Sequence, residues 1–220
     1  PNFAYAYVAR KARQLNPVDL AKLDLSSWLI AGNGGEPVRA ETLRAFEAQF
    51  SRCGFDPESW FPCFGLAEHT ILASGRQRRR KPTILCVDGH DLAQGVVSVG
   101  PEGDRELVGC GEAFPQVKIR IIDPSSLGAV DEGTVGEVWL QSPSVASGYW
   151  ASDAAFSHDF EEEGSFLPTG DLGFLRGGEL FICGRLKDLI IIDGRNIYPQ
   201  DLERLAEEAL PGLLRPGSSA

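Results

Sequence analysis

Near Thr83 the hydrophobic pattern of the chain changes period, and that change restricts it to a mixed α/β fold. Before this point apolar residues recur at helical spacing, as Leu43, Phe46 and Phe50 do within residues 40–50. Residues 4–14 also read as a helix, and residues 27–31 as a short buried strand. Gly32-Asn33-Gly34-Gly35 breaks that strand, and Pro37 suits the first turn of a helix. The apolar run of residues 60–64 ends in Gly65-Leu66-Ala67-Glu68, where a second helix is predicted. After Thr83 the spacing becomes two: residues 117–121 and 137–141 alternate as half-exposed strands do. Residues 172–182 read as a hairpin turning at Arg176-Gly177-Gly178-Glu179. Residues 201–210 begin an amphipathic helix, and the Pro/Gly/Ser-rich tail 211–220 is predicted to fray.

Bulk properties exclude several classes of function. A chain of 220 residues that is 43% hydrophobic can bury a core, as one medium domain or two small lobes. A formal charge of −10 argues against general nucleic-acid binding; the one dense basic run, residues 76–81, reads as a solvated loop. No stretch approaches the roughly 18 apolar residues of a membrane span. The five cysteines are scattered, without a Cys-x-x-Cys pair, which argues against zinc and disulfide frameworks and for a reducing cytoplasm. His69, His90 and His158 are too dispersed for a metal site and read as solvent-facing or capping residues. There is no methionine and Pro1 is not an initiator, so the chain is expected to begin inside a longer protein.

Four constellations have chemical potential. Gly34-Gly35-Glu36-Pro37 follows a strand and leaves backbone bare for a ring or phosphate, though a plain tight turn needs the same residues. Phe64-Gly65-Leu66-Ala67-Glu68 sets an aromatic face, a residue without a side chain and a carboxylate within five positions. Such a set can stack a base and join a Mg²⁺ shell; a core aromatic beside a surface acid is the plainer reading. Asp171, after Pro168-Thr169-Gly170, is an acceptor able to take both hydrogens of a ribose diol, or to cap its own turn. Arg185 offers a planar fork for phosphate or ribose oxygens, and Lys187 sits at an element boundary where a pivot could lie; from these residues alone a solvated connector is the plainer reading.

In this order the four segments resemble the adenylate-forming superfamily: acyl-CoA synthetases, luciferases, peptide-synthetase adenylation domains and fatty-acyl-AMP ligases. Gly136-Glu137-Val138-Trp139-Leu140 followed by Gly148-Tyr149-Trp150 resembles a further signature, and the likeness covers residues 1–205. The fatty-acyl-AMP ligase branch is the most similar, through Pro1-Asn2-Phe3-Ala4-Tyr5, through residues 33–42, and through Ala67 in place of a commoner threonine. The long passage from Glu68 to Gly111 resembles that branch too: residues 76–108 read as the strand-rich insertion that hinders use of coenzyme A.

The resemblance implies a partial adenylate-forming large domain. Residues 1–110 form an α/β lobe, 111–183 a mostly β distorted-barrel lobe, and 184–220 the hinge and start of a truncated carboxy-terminal lobe. It implies a parent enzyme that joins a fatty acid to ATP, giving acyl-AMP and pyrophosphate, and passes the acyl group to an acyl-carrier protein or to a carrier domain of a polyketide or peptide synthase. By position Gly34, Gly35, Glu36, Pro37, Phe64 and Gly65 would hold adenine, Glu68 the Mg²⁺, Asp171 and Arg185 the ribose, and Lys187 the hinge. Phe64 departs from the usual tyrosine, which costs a hydroxyl contact. Nothing in the chain replaces the family's Ser/Thr/Gly-rich phosphate loop, and no lysine follows Lys187, so the isolated chain is expected to be inactive. An acyl-CoA synthetase, or a silent fragment that binds nucleotide or acyl chain without turnover, are the alternatives.

Overall fold

A computed structural model describes residues 1–76, 79–151, 156–160, 163–192 and 195–210. The predicted tail, Gln77 and Arg78 of the basic run, and Asp193-Gly194 lie outside them. The amino-terminal part comprises α1 (Asn2–Ala12), a single turn α2 (Pro17–Leu20), β1 (Ala31–Asn33), α3 (Ala40–Phe50), β2 (Trp60–Phe64) and β3 (Ser74–Gly75). Next come β4 (Ile84–Val87), α4 (Gly89–Ala93), β5 (Arg105–Ala113), β6 (Lys118–Ile122) and β7 (Gly136–Gln141). The chain then forms β8 (His158–Phe160), β9 (Gly164–Arg176), β10 (Glu179–Arg185), the small hairpin β11 (Ile190–Ile192) and β12 (Arg195–Ile197), and α5 (Pro199–Ala209).

One sheet of ten strands runs β1-β2-β3-β5-β10-β9-β7-β6, with β4 attached to β5 and β8 to β9. Only β1 and β2 are parallel, with Ala31 opposite Trp60 and Asn33 opposite Pro62; the other pairings are antiparallel. The mixed α/β class read from the change of period is therefore the observed one. Helices α1 and α3 cover the parallel end through an aromatic cluster in which Tyr5 meets Phe46 at 5.2 Å and Trp60 at 4.8 Å between ring centroids. The buried Phe46 and Trp60 rings each contribute about 2–3 kcal/mol of apolar transfer, and the partly buried Tyr5 less. The antiparallel strands bury their own cores, one around Leu172, Phe174 and Phe181, another around Phe64, Ile119, Val138 and Leu140.

The β9–β10 hairpin turns where the sequence placed it, at Gly177 (φ 57°) and Gly178 (φ 78°), a pair of left-handed positions that glycine fills without strain. Three local expectations change. The first strand spans Ala31–Asn33 rather than 27–31, because side chains occupy the backbone just before it: Trp28 Nε1 donates to Ile30 O and Ser59 Oγ to Trp28 O. The helix predicted around Glu68 is a single 3-10 turn, Ala67–His69, cut short by Thr70 (φ 59°) and Ile71 (φ 84°) in the left-handed region. The basic run is not simply solvated. Arg76 is buried and donates to Trp60 O at 2.6 Å, and Arg79 pairs with Asp56.

The segment beyond Lys187 packs back on the sheet and on α3. Tyr198 is 1% exposed, with the Arg105 guanidinium 4.5 Å from its ring centroid. Arg105 pairs with Asp201 at 3.0 Å, and Arg39 bridges Glu203 at 3.1 Å and Glu207 at 2.9 Å.

Candidate functional site

The carboxy ends of β1 and β2 lie side by side, and each is followed by a glycine with no room for a side chain. A Cβ on Gly34 would stand 2.7 Å from Cys63 O; one on Gly65 would stand 1.4 Å from Ile71 O. Gly35 (φ 79°) has nothing within 4 Å of a Cβ position, so its backbone faces open space. The Glu36 carboxylate is committed elsewhere, accepting the Phe3 N–H in the first turn of α1 at 2.6 Å. That bond serves the amino end of α1, where Pro1 offers no side-chain cap. Phe64, 8% exposed, packs among Ala73, Cys110, Ile119 and Leu180, so only a small part of its ring reaches the surface.

Beyond Gly65 the chain doubles back on itself, with Ile71 N–H on Leu66 O and Ala73 N–H on Phe64 O, and the intervening turn presents Glu68. Glu68 Oε1 accepts the Tyr149 hydroxyl at 2.6 Å. That bond above all, with a backbone N–H and more distantly Arg185, holds the carboxyl below the usual range. His69 is not solvent-facing as expected: it is 1% exposed, with Nε2 2.7 Å from Ser142 Oγ, and burial lowers its pKa. Its neighbours in the strained turn direct the ring inward, which no local pattern specifies. His90 and His158 are at the surface, on Gln94 and against Trp139.

On the antiparallel side, Asp171 of β9 stands opposite Arg185 of β10, and Arg185 Nε donates to Asp171 Oδ1 at 2.8 Å. The Thr-Gly-Asp turn is held by β7. Thr169 Oγ1 donates to Val138 O and accepts the Asp171 N–H, while Gly170 (φ 73°) donates to Glu137 Oε1. Burial raises the pKa of Asp171, with Arg185 acting against it. Arg185 is raised by Asp171 first, and also by Asp188 and Glu68. The guanidinium thus bonds Asp171 and interacts electrostatically with Glu68. Lys187 lies in the exposed 3-10 turn Leu186–Asp188 that leaves β10.

Phe64 ends β2 and Gly65 follows it, Glu68 lies in the turn beyond, Asp171 pairs with Arg185 across β9 and β10, Gly35 leaves backbone bare after β1, and Lys187 lies in the turn that leaves β10. The Glu36 carboxylate turns instead to α1. A separate cleft of about 410 Å³ between α1, α3 and α5 touches Glu36 and Pro37 but is not lined by Glu68 or Asp171. Sequence reading missed Tyr149, Thr169 and Glu137 as the groups that hold these carboxylates and turns. For Tyr149 the signal was the Gly148-Tyr149-Trp150 string, but nothing local ties it to a carboxylate 81 residues earlier.

A family model described as "AMP-binding enzyme" matches residues 1–150. The chain belongs to the AMP-binding enzyme family. Among curated members it is 41% identical over 97% of its length to the medium-chain-fatty-acid–[acyl-carrier-protein] ligase JamA of Moorena producens, of which it spans 37%. Among solved structures, one described under fatty acyl-adenylate ligases from E. coli and L. pneumophila superposes with a TM-score of 0.85 at 39% identity, over 96% of this chain and 38% of that one. The L. pneumophila fatty acyl-adenylate ligase in complex with acyl adenylate and pyrophosphate gives a TM-score of 0.79 at 39% identity, with the same two shares of 96% and 38%. The chain thus spans less than two fifths of each of these relatives, and its architecture is part of an AMP-binding large domain. No described helix is long and apolar enough to cross a membrane.

Proposed function

We propose that the chain is the nucleotide-facing part of a fatty-acyl-AMP ligase. In that reaction a fatty carboxylate oxygen attacks the α-phosphorus of ATP, the bond to the β-phosphate breaks, and pyrophosphate leaves. A carrier-protein thiolate then attacks the acyl carbon and AMP departs, so the partners are a fatty acid and an acyl-carrier protein or carrier domain. The observation that carries the reading is the Arg185–Asp171 pair across β9 and β10, whose guanidinium also interacts electrostatically with Glu68. The similarity to JamA and to an acyl-adenylate-bound ligase supports the choice of substrate class.

In this reading the bare backbone of Gly34–Gly35, with Pro37 and the Glu36 main chain, borders adenine, and Phe64 and Gly65 form its floor. Asp171 accepts the ribose diol and Arg185 donates to ribose or phosphate oxygens. Arg185 acts against the effect of burial on Asp171 and so favours the ionised form, which is an acceptor only. Among the described residues no cluster of three acid, histidine or cysteine side chains can enclose a metal ion. A single carboxylate suits Mg²⁺, which keeps its waters and takes substrate phosphates as further ligands. Glu68 Oε1 is held by Tyr149, and Oε2 is left to serve as that one ligand. Bound there, the ion would screen the phosphate charge during adenylation.

Residues 1–110, 111–183 and 184–220 are read as α/β lobe, β-rich lobe, and hinge with the start of a further lobe turning at Lys187. Cytoplasmic residence belongs to the same reading and agrees with five unpaired cysteines. The test is pyrophosphate exchange with medium-chain and long-chain acids in the longer protein, beside calorimetric titration of the 220-residue chain with a non-hydrolysable acyl-adenylate. Exchange in the former, abolished by Asp171→Ala, supports the reading; a longer protein that binds no acyl-adenylate overturns it.

A further inference from the structure

The turn that presents Glu68 holds a strained backbone. Thr70 and Ile71 both sit at positive φ, a costly choice for β-branched residues, and Gly65 is pressed against Ile71 O. Four contacts from one later segment restrain it. Ser142 Oγ lies 2.7 Å from His69 Nε2, Thr70 Oγ1 donates to Ser144 O at 2.9 Å, Ala146 N–H donates to Glu68 O at 2.8 Å, and Tyr149 Oη donates to Glu68 Oε1 at 2.6 Å. Ser142 also turns its hydroxyl to the Ser144 N–H, so the segment is itself folded into a compact loop just after β7.

We propose that residues 142–149 form a clasp on the carboxylate turn and that Tyr149 is a positioning residue for Glu68. The proposal rests on the reading of Glu68 as the Mg²⁺ ligand and deepens it. The phenol fixes one carboxylate oxygen and thereby the side-chain torsions, so the second oxygen is aimed before any ion arrives. Preorganisation of this kind lowers the ordering that binding would otherwise require. Tyr149 is 59% exposed and lies outside the described hydrophobic cores, so its removal tests the hydroxyl without opening a cavity.

The test uses the full-length ligase that carries this segment. Tyr149→Phe is expected to weaken Mg²⁺ binding, titrated calorimetrically with a non-hydrolysable ATP analogue present, by about three- to tenfold, the span of one ordinary net hydrogen bond. In the metal-free protein, amides of residues 68–71 should exchange with deuterium measurably faster. Glu68→Gln should weaken Mg²⁺ binding at least as much, and the double variant should be no weaker than Glu68→Gln alone. Trp150→Ala, at a neighbouring side chain that is 98% exposed, should change neither readout. Wild-type Mg²⁺ affinity in Tyr149→Phe beside a weakened Glu68→Gln overturns the positioning role alone, as does full additivity of the two. Wild-type affinity in Glu68→Gln overturns the metal reading and the positioning role with it.

Discussion

At the scale of single residues the proposed site is set by where a methyl group cannot go and where a charge is held at a cost. Gly65→Ala would drive a Cβ into Ile71 O, and main chain on both sides must move. A loss of at least about 2 kcal/mol in unfolding free energy is expected, read from the denaturation midpoint, because backbone cannot yield as a flexible side chain does. Asp171 is the opposite case. Its pKa is raised mainly by burial, so its favourable contribution to folding is present below its unfolded value and is lost as pH rises through the folded value. Above the folded value the ionised group therefore opposes folding. Asp171→Asn, which still offers an oxygen to Arg185, is expected to melt at pH 7 no lower than the parent, while affinity for AMP falls about tenfold or more. Thermal melts from pH 4 to 8 beside nucleotide titrations separate the two effects. Gly65 and Asp171 were legible as candidates because their residue types carry the chemistry; the burial of His69 was not, since its inward direction follows from the left-handed turn at Thr70 and Ile71.

At the scale of elements, periodicity identified α3 to the residue and placed the β9–β10 turn, because amphipathic spacing and paired glycines are local properties. It misplaced β1 by several residues, because Trp28 and Ser59 satisfy the preceding backbone through contacts from outside the strand. The helix α5 was expected from its pattern, but its seat was not. Arg39, at the head of α3, bridges Glu203 and Glu207, and Tyr198 is sealed beneath Arg105. Tyr198→Ala should cost about 3 kcal/mol of local stability and Arg39→Glu about 1 kcal/mol or more, since reversal places like charges against two carboxylates. Hydrogen exchange across residues 199–209 measures both, with faster exchange expected in each variant and slower exchange restored by Arg39→Glu combined with Glu203→Arg and Glu207→Arg.

At the scale of the whole molecule, one face remains open. Tyr5, Leu15, Leu25, Trp28 and Phe46 line an apolar groove of about 520 Å³ beside α1. A contiguous apolar surface of this kind binds hydrophobic dyes. The 220-residue chain should therefore raise the fluorescence of anilinonaphthalene sulfonate, and Leu15→Lys should reduce the rise, without a shift in melting temperature beyond a degree or two because Leu15 is exposed. The sequence by itself determined the class of fold, the order of its elements and the residue types able to meet a nucleotide, because those depend on spacing and on chemistry carried within a few positions. Only the tertiary structure decided that Tyr149 would reach Glu68, that Asp171 and Arg185 would share a register, and that Glu36 would turn away to α1. Such pairings join residues far apart along the chain. They depend on which strands lie side by side and on which backbone groups are already satisfied, a property of the assembled sheet that no local window contains.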